Sequence, residues 1–419
     1  MKARFTPALF AHAEAVLQQV LKFAHPADAV VSHYFREHRQ LGHADRGFVA
    51  ETVFAVLRRW RSLQARCGDG ATSRQLLLAA LALVRGWSQR ELAPVLKASE
   101  ESWLAAIKAG KESSDPAIAY DLPDWLHSQL SQQFTGEEIS QLTRALNQPA
   151  PLDLRVNTLK TTREAVLAQL QSEGMTAEVT PYSPLGIRLR DKPALAKHPL
   201  FLDGSIEVQD EGSQLLGLLL EAKRGEMVVD FCAGAGGKTL LIGAMMRNTG
   251  RLYAFDVSEK RLANLKPRLA RSGLSNVHPG RIEHERDLKV KRLAGKADRV
   301  IVDAPCSGLG TLRRNPDLKW RQTEASVGEL TTMQANILAA AATLVKPGGR
   351  LVYATCSLLT AENKSVVEAF LAAHPQFALR PASDILARHG VTLGGDMLQL
   401  LPHRHNTDGF FAAVLERLP

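Results

Sequence analysis

From residue 227 onward the chain alternates strand-like apolar runs with helix-like stretches, and this alternation limits the fold more than any single motif. Strands are predicted at 227–231, 251–255, 298–302 and 350–354, and helices at 239–247, 259–271, 324–345 and 361–373. Such a pattern predicts an α/β domain built on a doubly wound parallel sheet. Two further apolar runs, Met397 to Leu401 and Phe410 to Leu415, flank a polar segment and predict a hairpin that closes the sheet. In this architecture functional residues lie just beyond the carboxyl ends of the strands. Here those ends carry Asp230, Asp256, the run Asp303-Ala304-Pro305-Cys306-Ser307, and Thr355-Cys356-Ser357. Cys306 and Cys356 are thereby expected to face each other across one crevice.

The first strand breaks into Cys232-Ala233-Gly234-Ala235-Gly236-Gly237-Lys238-Thr239 before an apolar helix resumes. Glycine there permits unusual φ values and lets a ligand lie against the backbone at a helix N-terminus. Three ligand classes use such a turn. A nucleoside triphosphate loop needs a glycine where Cys232 stands, which argues against it. A dinucleotide fingerprint fits imperfectly. S-adenosylmethionine needs the same turn and a carboxylate on the ribose but no phosphate site, and Asp256 at the end of the second strand supplies that carboxylate.

The 419 residues carry a net charge of +9, which attracts polyanions. Between Arg286 and Arg321 ten Lys and Arg stand against four Asp, so the charge gathers beside the expected crevice. The four cysteines, Cys67, Cys232, Cys306 and Cys356, show neither Cys-x-x-Cys nor zinc spacing, so no metal and no disulfide framework is expected. Lys2 and Arg4 precede a segment that polar residues interrupt, which excludes a signal-peptide core. No apolar run reaches the ~20 residues a membrane span needs, so a cytoplasmic protein with no membrane contact is expected. A monomer is the expected state, although the sequence itself does not reveal it.

Residues 1–112 read as a helical bundle. Val49, Val53, Val56, Leu57, Trp60 and Leu63 recur at helical spacing behind a cap at Asp45, and Ser88 to Glu91 has the form of a capping box. Arg58, Arg59 and Arg61 fall on other faces, either solvated or in contact with phosphate. Gly110 to Pro116 reads as a linker. Residues 118–205 predict a small α+β module, in which Arg155, Arg188 and Arg190 are expected to extend a polyanion-binding surface. The third domain is 206–419.

Two thiols in one crevice have three readings. They can be buried apolar residues or a redox pair, although redox pairs usually share one helix. They can also serve covalent catalysis on an electron-poor ring. Cytosine is such a ring, because C5 becomes nucleophilic only after a thiolate adds at C6, and a second group must then help the thiolate leave.

The runs Asp-Phe-Cys-Ala-Gly-Ala-Gly-Gly-Lys-Thr at 230–239, Asp-Ala-Pro-Cys-Ser-Gly at 303–308 with Arg313 to Trp320 after it, Pro347 to Ser357, and Asp408-Gly409-Phe410-Phe411 resemble the RNA cytosine-C5 methyltransferases of the RsmB/Sun type. The resemblance runs from about residue 120 to the C-terminus. Residues 1–110 resemble, more faintly, a shortened NusB-like domain. The resemblance implies a class I S-adenosylmethionine-dependent, Rossmann-like catalytic domain acting on RNA, with small-subunit ribosomal RNA expected and transfer RNA as the alternative. It makes Cys356 the nucleophile and Cys306 the aid to product release. DNA cytosine methylases use their Pro-Cys instead, so chemistry alone leaves this assignment open. By the same resemblance Asp303 holds the polar edge of cytosine and Lys238 points at the same base. Cys232, Ala233, Gly234, Ala235, Gly236, Gly237, Lys238, Asp256, Asp287 and Asp303 would surround the cofactor, with Asp256 on the ribose and Asp287 on the adenine side.

One departure is visible, since Gly234-Ala235 stands where the family usually has Ala-Pro. The turn loses the rigidity of proline, and weaker cofactor binding is the expected result. Lys319 and Trp320, with Arg313 and Arg314, suit single-stranded RNA, where bases stack and phosphates pair. A structural tryptophan in a charged loop is the competing reading. Two rival functions remain at this level, a methyltransferase with another acceptor and a non-catalytic RNA-binding ribosome-assembly factor.

Overall fold

The computed structural model describes residues 5–111 and 113–419. Lys2, Arg4 and Glu112 lie outside the described residues. The chain forms two compact units, Met1–Pro149 with Thr311–Glu324, and Ala150–Gly310 with Ala325–Pro419. This division differs from sequence boundaries near 112 and 205. Helices Asp124–Ser131 and Gly136–Leu146 belong to the first unit. One tie explains part of this: buried Asp121 accepts hydrogen bonds from the Ser62 backbone (2.8 Å) and the Ser62 hydroxyl (3.0 Å).

The first unit is helical. Its main helices are Pro7–Val20, Ala27–Glu37, His43–Arg58, Trp60–Cys67, Ser73–Ala79 and Ala98–Ala109. Val49, Val53, Val56, Leu57 and Leu63 are buried together with Leu17, Leu76 and Leu77, as the helical spacing predicts. The single helix expected over 45–66 is broken at Arg59, where ψ rises to 22°. Asp45 lies in the first turn rather than at the cap, accepting from the Gly42 backbone at 3.2 Å. Ser88 and Glu91 do form the reciprocal capping pair, over the short helix Gln89–Leu92.

The second unit holds two sheets. The smaller has β1 (Leu152–Val156), β2 (Ala177–Val179), β3 (Gly186–Leu189) and β4 (Ile206–Val208), in the order β2-β3-β1-β4 and antiparallel throughout. Val166 and Leu170 of helix Arg163–Ser172 share its core with Leu154, Ile187 and Ile206.

The larger sheet has eight strands: β5 (Met227–Asp230), β6 (Arg251–Asp256), β7 (Val277–Arg281), β8 (Ala297–Asp303), β9 (Val345–Thr355), β10 (Phe377–Arg380), β11 (Leu398–Leu400) and β12 (Phe410–Arg417). Its order is β10-β12-β9-β8-β5-β6-β7. β7, β6, β5, β8 and β9 are parallel to their neighbours, and β12 runs antiparallel to β9. Alternate residues of the central strands feed opposite cores: Val228, Ile301 and Val352 enter one, Val229, Val300 and Leu351 the other. A strand covered on both faces is apolar throughout, which is why these four were legible.

The hairpin of β11 and β12 forms but does not close the sheet. β12 lies inside it, and its outer side is shared by β11, opposite Phe410–Ala412, and by β10, opposite Val414–Arg417. β10 and β7 were not legible. β7 contains Pro279 and Gly280, which an edge strand tolerates but which erase the strand pattern.

Candidate active site at the ends of the parallel strands

The chain order of the parallel strands reverses between β5 and β8, and in such a sheet the crevice opens at that point. Asp230 ends β5, is 1% exposed, and accepts a hydrogen bond from the Thr239 hydroxyl at 2.6 Å, tying the strand to helix Gly237–Met245. Burial, with Asp303 and Asp256 nearby, pushes its carboxyl up to about 7. Its Oδ1 has no hydrogen-bond partner among the described residues.

The turn itself runs through φ +56° at Gly234 and +84° at Gly236. A Cβ on Gly236 would lie 2.1 Å from Leu265, whereas one on Gly234 would meet nothing. Gly236 is thus needed for packing, and the space over Gly234 is open to a ligand. Three side chains fasten this turn. Asp256 accepts from the Gly234 N–H at 2.8 Å, Arg268 donates to the Ala235 carbonyl at 2.7 Å, and Arg155 donates to the Gly237 carbonyl at 2.6 Å. Glu207 holds Arg268 (3.0 Å) and Arg271 (2.7 Å). These contacts hold the turn in which Gly234-Ala235 stands where the family usually has Ala-Pro.

Lys238 leaves the turn buried, with its Nζ 2.7 Å from Asp303 Oδ2 at the end of β8. Burial opposes its charge, but Asp303 outweighs burial and raises its pKa. The Asp303 side chain is 33% exposed, against 9% for Lys238, so the carboxylate still faces the crevice. The Lys238 Nζ lies 5.9 Å from the Phe410 ring centroid.

The two thiols do meet. Cys306 and Cys356 Sγ are 3.3 Å apart, and the Cys356 backbone N–H donates to Cys306 Sγ at 3.3 Å. The hydrogen bond to Cys356, burial, and the charges of Cys356 and Glu362 hold the Cys306 thiol well above the usual range. Gly310 brings the loops together: its N–H donates to the Cys356 carbonyl and its carbonyl accepts from Gly409, both at 2.8 Å. A Cβ there would lie 2.0 Å from the Gly409 oxygen. Cys232 stays protonated, since burial and then Asp230 and Asp303 push its thiol up.

The carboxylate oxygens of Asp256 are both engaged, with Gly234 N–H and with Ser258 N–H (2.7 Å). Asp287 caps the short helix Leu288–Lys291, accepting from Lys289 (2.8 Å) and Glu283 (3.0 Å) backbones. The hydrogen bond from Lys289 leads in lowering its pKa. It follows the end of β7, which pairs with β6 and its terminal Asp256, so the two carboxylates stand at neighbouring strand ends. Among the described residues no group of three or more His, Cys, Asp or Glu could hold a metal ion, and no helix is long and apolar enough to cross a membrane.

Several basic residues expected at an RNA surface turn inward. Arg155 is 3% exposed, on Gln209 and the Gly237 carbonyl, and Arg188 is bound bidentately to Asp153 at 2.7 and 2.9 Å. Only Arg190 of that trio is open. In the first unit Arg58 donates to the Arg313 carbonyl at 3.1 Å, and burial pushes it down to about 10. Arg59 pairs with Asp121 at 3.4 Å, and Arg61 with Asp124 at 2.7 Å and the Leu122 carbonyl at 2.6 Å. Lys319 is 2% exposed and donates to the Arg58 carbonyl (3.0 Å) and Asn147 (3.2 Å). Trp320 donates to the Leu57 carbonyl at 2.8 Å and meets Trp60 edge-on at 5.1 Å. With Trp60, Trp125, Pro123, Arg61, Gln64 and Asp124 it lines a cleft of about 400 Å³ within the first unit. Charge in sequence carries no direction: Arg155, Arg188, Arg58 and Lys319 satisfy carbonyls and carboxylates inside the protein, whereas Arg59 and Arg61 pair with carboxylates while keeping part of their side chains at solvent.

Sequence reasoning missed Arg268, Glu207 and Glu362, whose partners lie far away in the chain.

The sequence matches the family described as 16S rRNA methyltransferase RsmB/F over residues 217–416, and the RsmF/B-like ferredoxin-like domain over 122–195. A Synechocystis sp. protein named "Probable ribosomal RNA small subunit methyltransferase B" is 34% identical over 430 residues, spanning 93% of this chain and 95% of that one. The crystal structure of PH0851 is similar over the whole of both chains, with a TM-score of 0.81 and 27% identity. That of NSun6 from Pyrococcus horikoshii with SFG shares the fold at a TM-score of 0.63 and 23% identity, over 71% of this chain and 98% of that one.

Proposed function

Since this chain belongs to the RsmB/Sun family of S-adenosylmethionine-dependent ribosomal RNA methyltransferases, we propose that it methylates C5 of a cytosine in small-subunit ribosomal RNA through a covalent adduct on Cys356. The observation that carries this reading is the pair of sulfurs 3.3 Å apart at the ends of neighbouring parallel strands, beside the Lys238–Asp303 pair.

The glycine turn, the open space over Gly234 and the unpartnered Oδ1 of Asp230 fit S-adenosylmethionine. Asp256 stands for the ribose and Asp287 for the adenine side. When bound, the cofactor supplies an electrophilic methyl group on a sulfonium. The chain's own residues do the rest. Cys356 Sγ forms a bond to cytosine C6, and the electron pair displaced from the C5–C6 double bond makes C5 the nucleophile. Asp303 accepts from the polar edge of the base, held in place by Lys238. The C5 proton then passes to solvent water in the open crevice, its bonding pair restores the C5–C6 double bond, and the C6–S bond breaks with its electron pair returning to the Cys356 sulfur. Cys306, kept as the thiol, donates to the departing Cys356 sulfur. A base stacked in a helix cannot reach these sulfurs, so an unpaired or extruded cytosine is the substrate.

The test is nucleoside mass spectrometry of unmodified ribosomal and transfer RNA incubated with S-adenosylmethionine and native or Cys356→Ala protein. 5-Methylcytosine should appear on ribosomal RNA with the native protein alone. Cys306→Ala should instead accumulate a protein–RNA adduct that survives denaturation. Product confined to transfer RNA would move the substrate, and near-native turnover by Cys356→Ala would overturn the nucleophile. Cofactor binding without product on RNA or assembled particles would favour the assembly-factor reading.

A further inference from the structure

Besides the Gly310–Cys356 backbone bond, the two cysteine loops are joined at the residues next to the thiols by a carboxylate. Glu362 ends the short turn Thr360–Glu362 beyond β9 and is 0% exposed. Its Oε1 accepts from the Ser307 backbone N–H at 2.8 Å and the Gln334 amide at 3.0 Å. Its Oε2 accepts from the hydroxyls of Ser307, at 2.5 Å, and Ser357. Ser307 directly follows Cys306, and Ser357 directly follows Cys356. The Gln334 amide also donates to the Pro305 carbonyl at 2.9 Å, gripping the first loop from its other side.

A fold needs no carboxylate at such a place. An apolar side chain of similar volume fills a buried site at lower desolvation cost, so a buried charge calls for a reason in specificity or chemistry. Here, among the described residues, the side-chain hydrogen bonds of Glu362 run to the cysteine-bearing loops or to the glutamine that braces one. The backbone supplies only part of this link: Gly310 N–H donates to the Cys356 carbonyl, while the strand pairing of β8 with β9 ends at Asp303 and Ala354 and leaves the serines beside the two thiols to the carboxylate.

We propose that Glu362 is a positioning residue, which keeps the Cys306 and Cys356 sulfurs at reacting separation by bonding Ser307 to Ser357. This rests on the roles given above to the two cysteines. The charge of Glu362 acts in the same direction: a fixed anion disfavours a second one beside it, so it helps keep Cys306 as the thiol that the release step requires. Glu362 touches no reacting atom and acts through the two serines.

Two variants of the full chain separate the contacts from the charge. Glu362→Ala removes both. Glu362→Gln keeps the shape and can keep the contacts, its oxygen accepting from Ser307 N–H and Gln334 while its NH2 donates to the serine hydroxyls. The first readout needs no RNA. Phenylarsine oxide bridges two adjacent thiols, and capture lost in Cys306→Ser reports on this pair. Glu362→Ala should capture it about 100-fold more slowly, as a displacement near 1 Å costs at a reacting pair. Single-turnover adduct formation should slow in parallel while affinity for S-adenosylmethionine is unchanged. Glu362→Gln should retain capture within about threefold. Alkylation of Cys306 by iodoacetamide, mapped by mass spectrometry, should however shift to lower pH in that variant.

Native capture and adduct formation by Glu362→Ala would overturn the proposal. If that variant does not fold, Ser357→Ala decides, since it removes the bond from Glu362 to the second cysteine loop: capture and adduct formation at the native rate would overturn the proposal, and slower capture would uphold it. Reduced arsenical capture in a protein whose native form makes no 5-methylcytosine would refute the proposed reaction and leave the positioning role standing. Native methylation untouched by Glu362→Ala would do the opposite.

Discussion

Two buried lysines show how differently the two units use a cation. Lys238 lies in the second unit, 8% exposed, with Asp303 at 2.7 Å, and its charge survives burial because that carboxylate is in contact. Lys319 lies in the first unit, 2% exposed, and donates to the Arg58 carbonyl and the Asn147 side chain, with no carboxylate in hydrogen-bond contact among the described residues. Burial pushes it down to about 7, with Asp121 opposing that shift and Arg59 and Arg58 adding to it. Both sit in motifs that read as functional. A counter-charge in contact keeps one lysine a cation at the crevice, whereas the other fastens a 14-residue insert, Thr311–Glu324, among helices of the first unit.

Exchanging each lysine for methionine breaks this comparison most sharply. Lys238→Met leaves Asp303 without its partner and should lower kcat/KM for RNA methylation by about 1000-fold. Lys319→Met should stay within about threefold of native turnover per folded molecule, because its hydrogen-bond partners Arg58 and Asn147 belong to the first unit. Equal losses in both would refute the division.

Trp320 sharpens the structural side. Trp320→Ala removes the hydrogen bond to Leu57 and the edge contact with Trp60, and should cost about 3 kcal/mol in chemical denaturation. The salt dependence of RNA binding should not change; a shallower slope would return Trp320 and its neighbours to the RNA surface.

At the turn, Arg268→Ala frees the Ala235 carbonyl and should weaken S-adenosylmethionine binding about tenfold in calorimetry. An unchanged affinity would mean that the glycine turn is held without that clamp.

The smallest effect is one of pH. The unfolded chain binds a proton at Lys319 up to its ordinary pKa near 10.5, whereas the folded chain releases it at about 7. Between those values the unfolded state holds more protons, so this lysine's contribution to stability rises with pH, and below about 7 it is constant. The stability of native protein minus that of Lys319→Met should therefore increase from pH 7 to pH 8 by on the order of 1 kcal/mol. A difference flat across that range would place a cation at this buried site.

The parts legible from sequence share one property, which is that their signal is local. The central strands read as apolar runs because both faces are covered, and the turn after β5 reads as glycine because Leu265 leaves no room for a Cβ at Gly236. Cys306 and Cys356 were legible as partners because strand ends of a parallel sheet converge, and they lie 3.3 Å apart. β7 failed because Pro279 and Gly280 break its pattern, and β10 because four residues carry too little pattern to read.

By itself, then, the sequence determined the sheet, the crevice and the residue types that line it, since periodicity and turn chemistry act between near neighbours. Tertiary structure alone decided where the long cations point. Arg155 and Arg268 grip the turn, Arg58 and Lys319 hold the insert, and Glu362 joins the cysteine loops. A buried polar group must find its partner wherever the folded chain brings one, and the identity of that partner is written nowhere near it in the sequence.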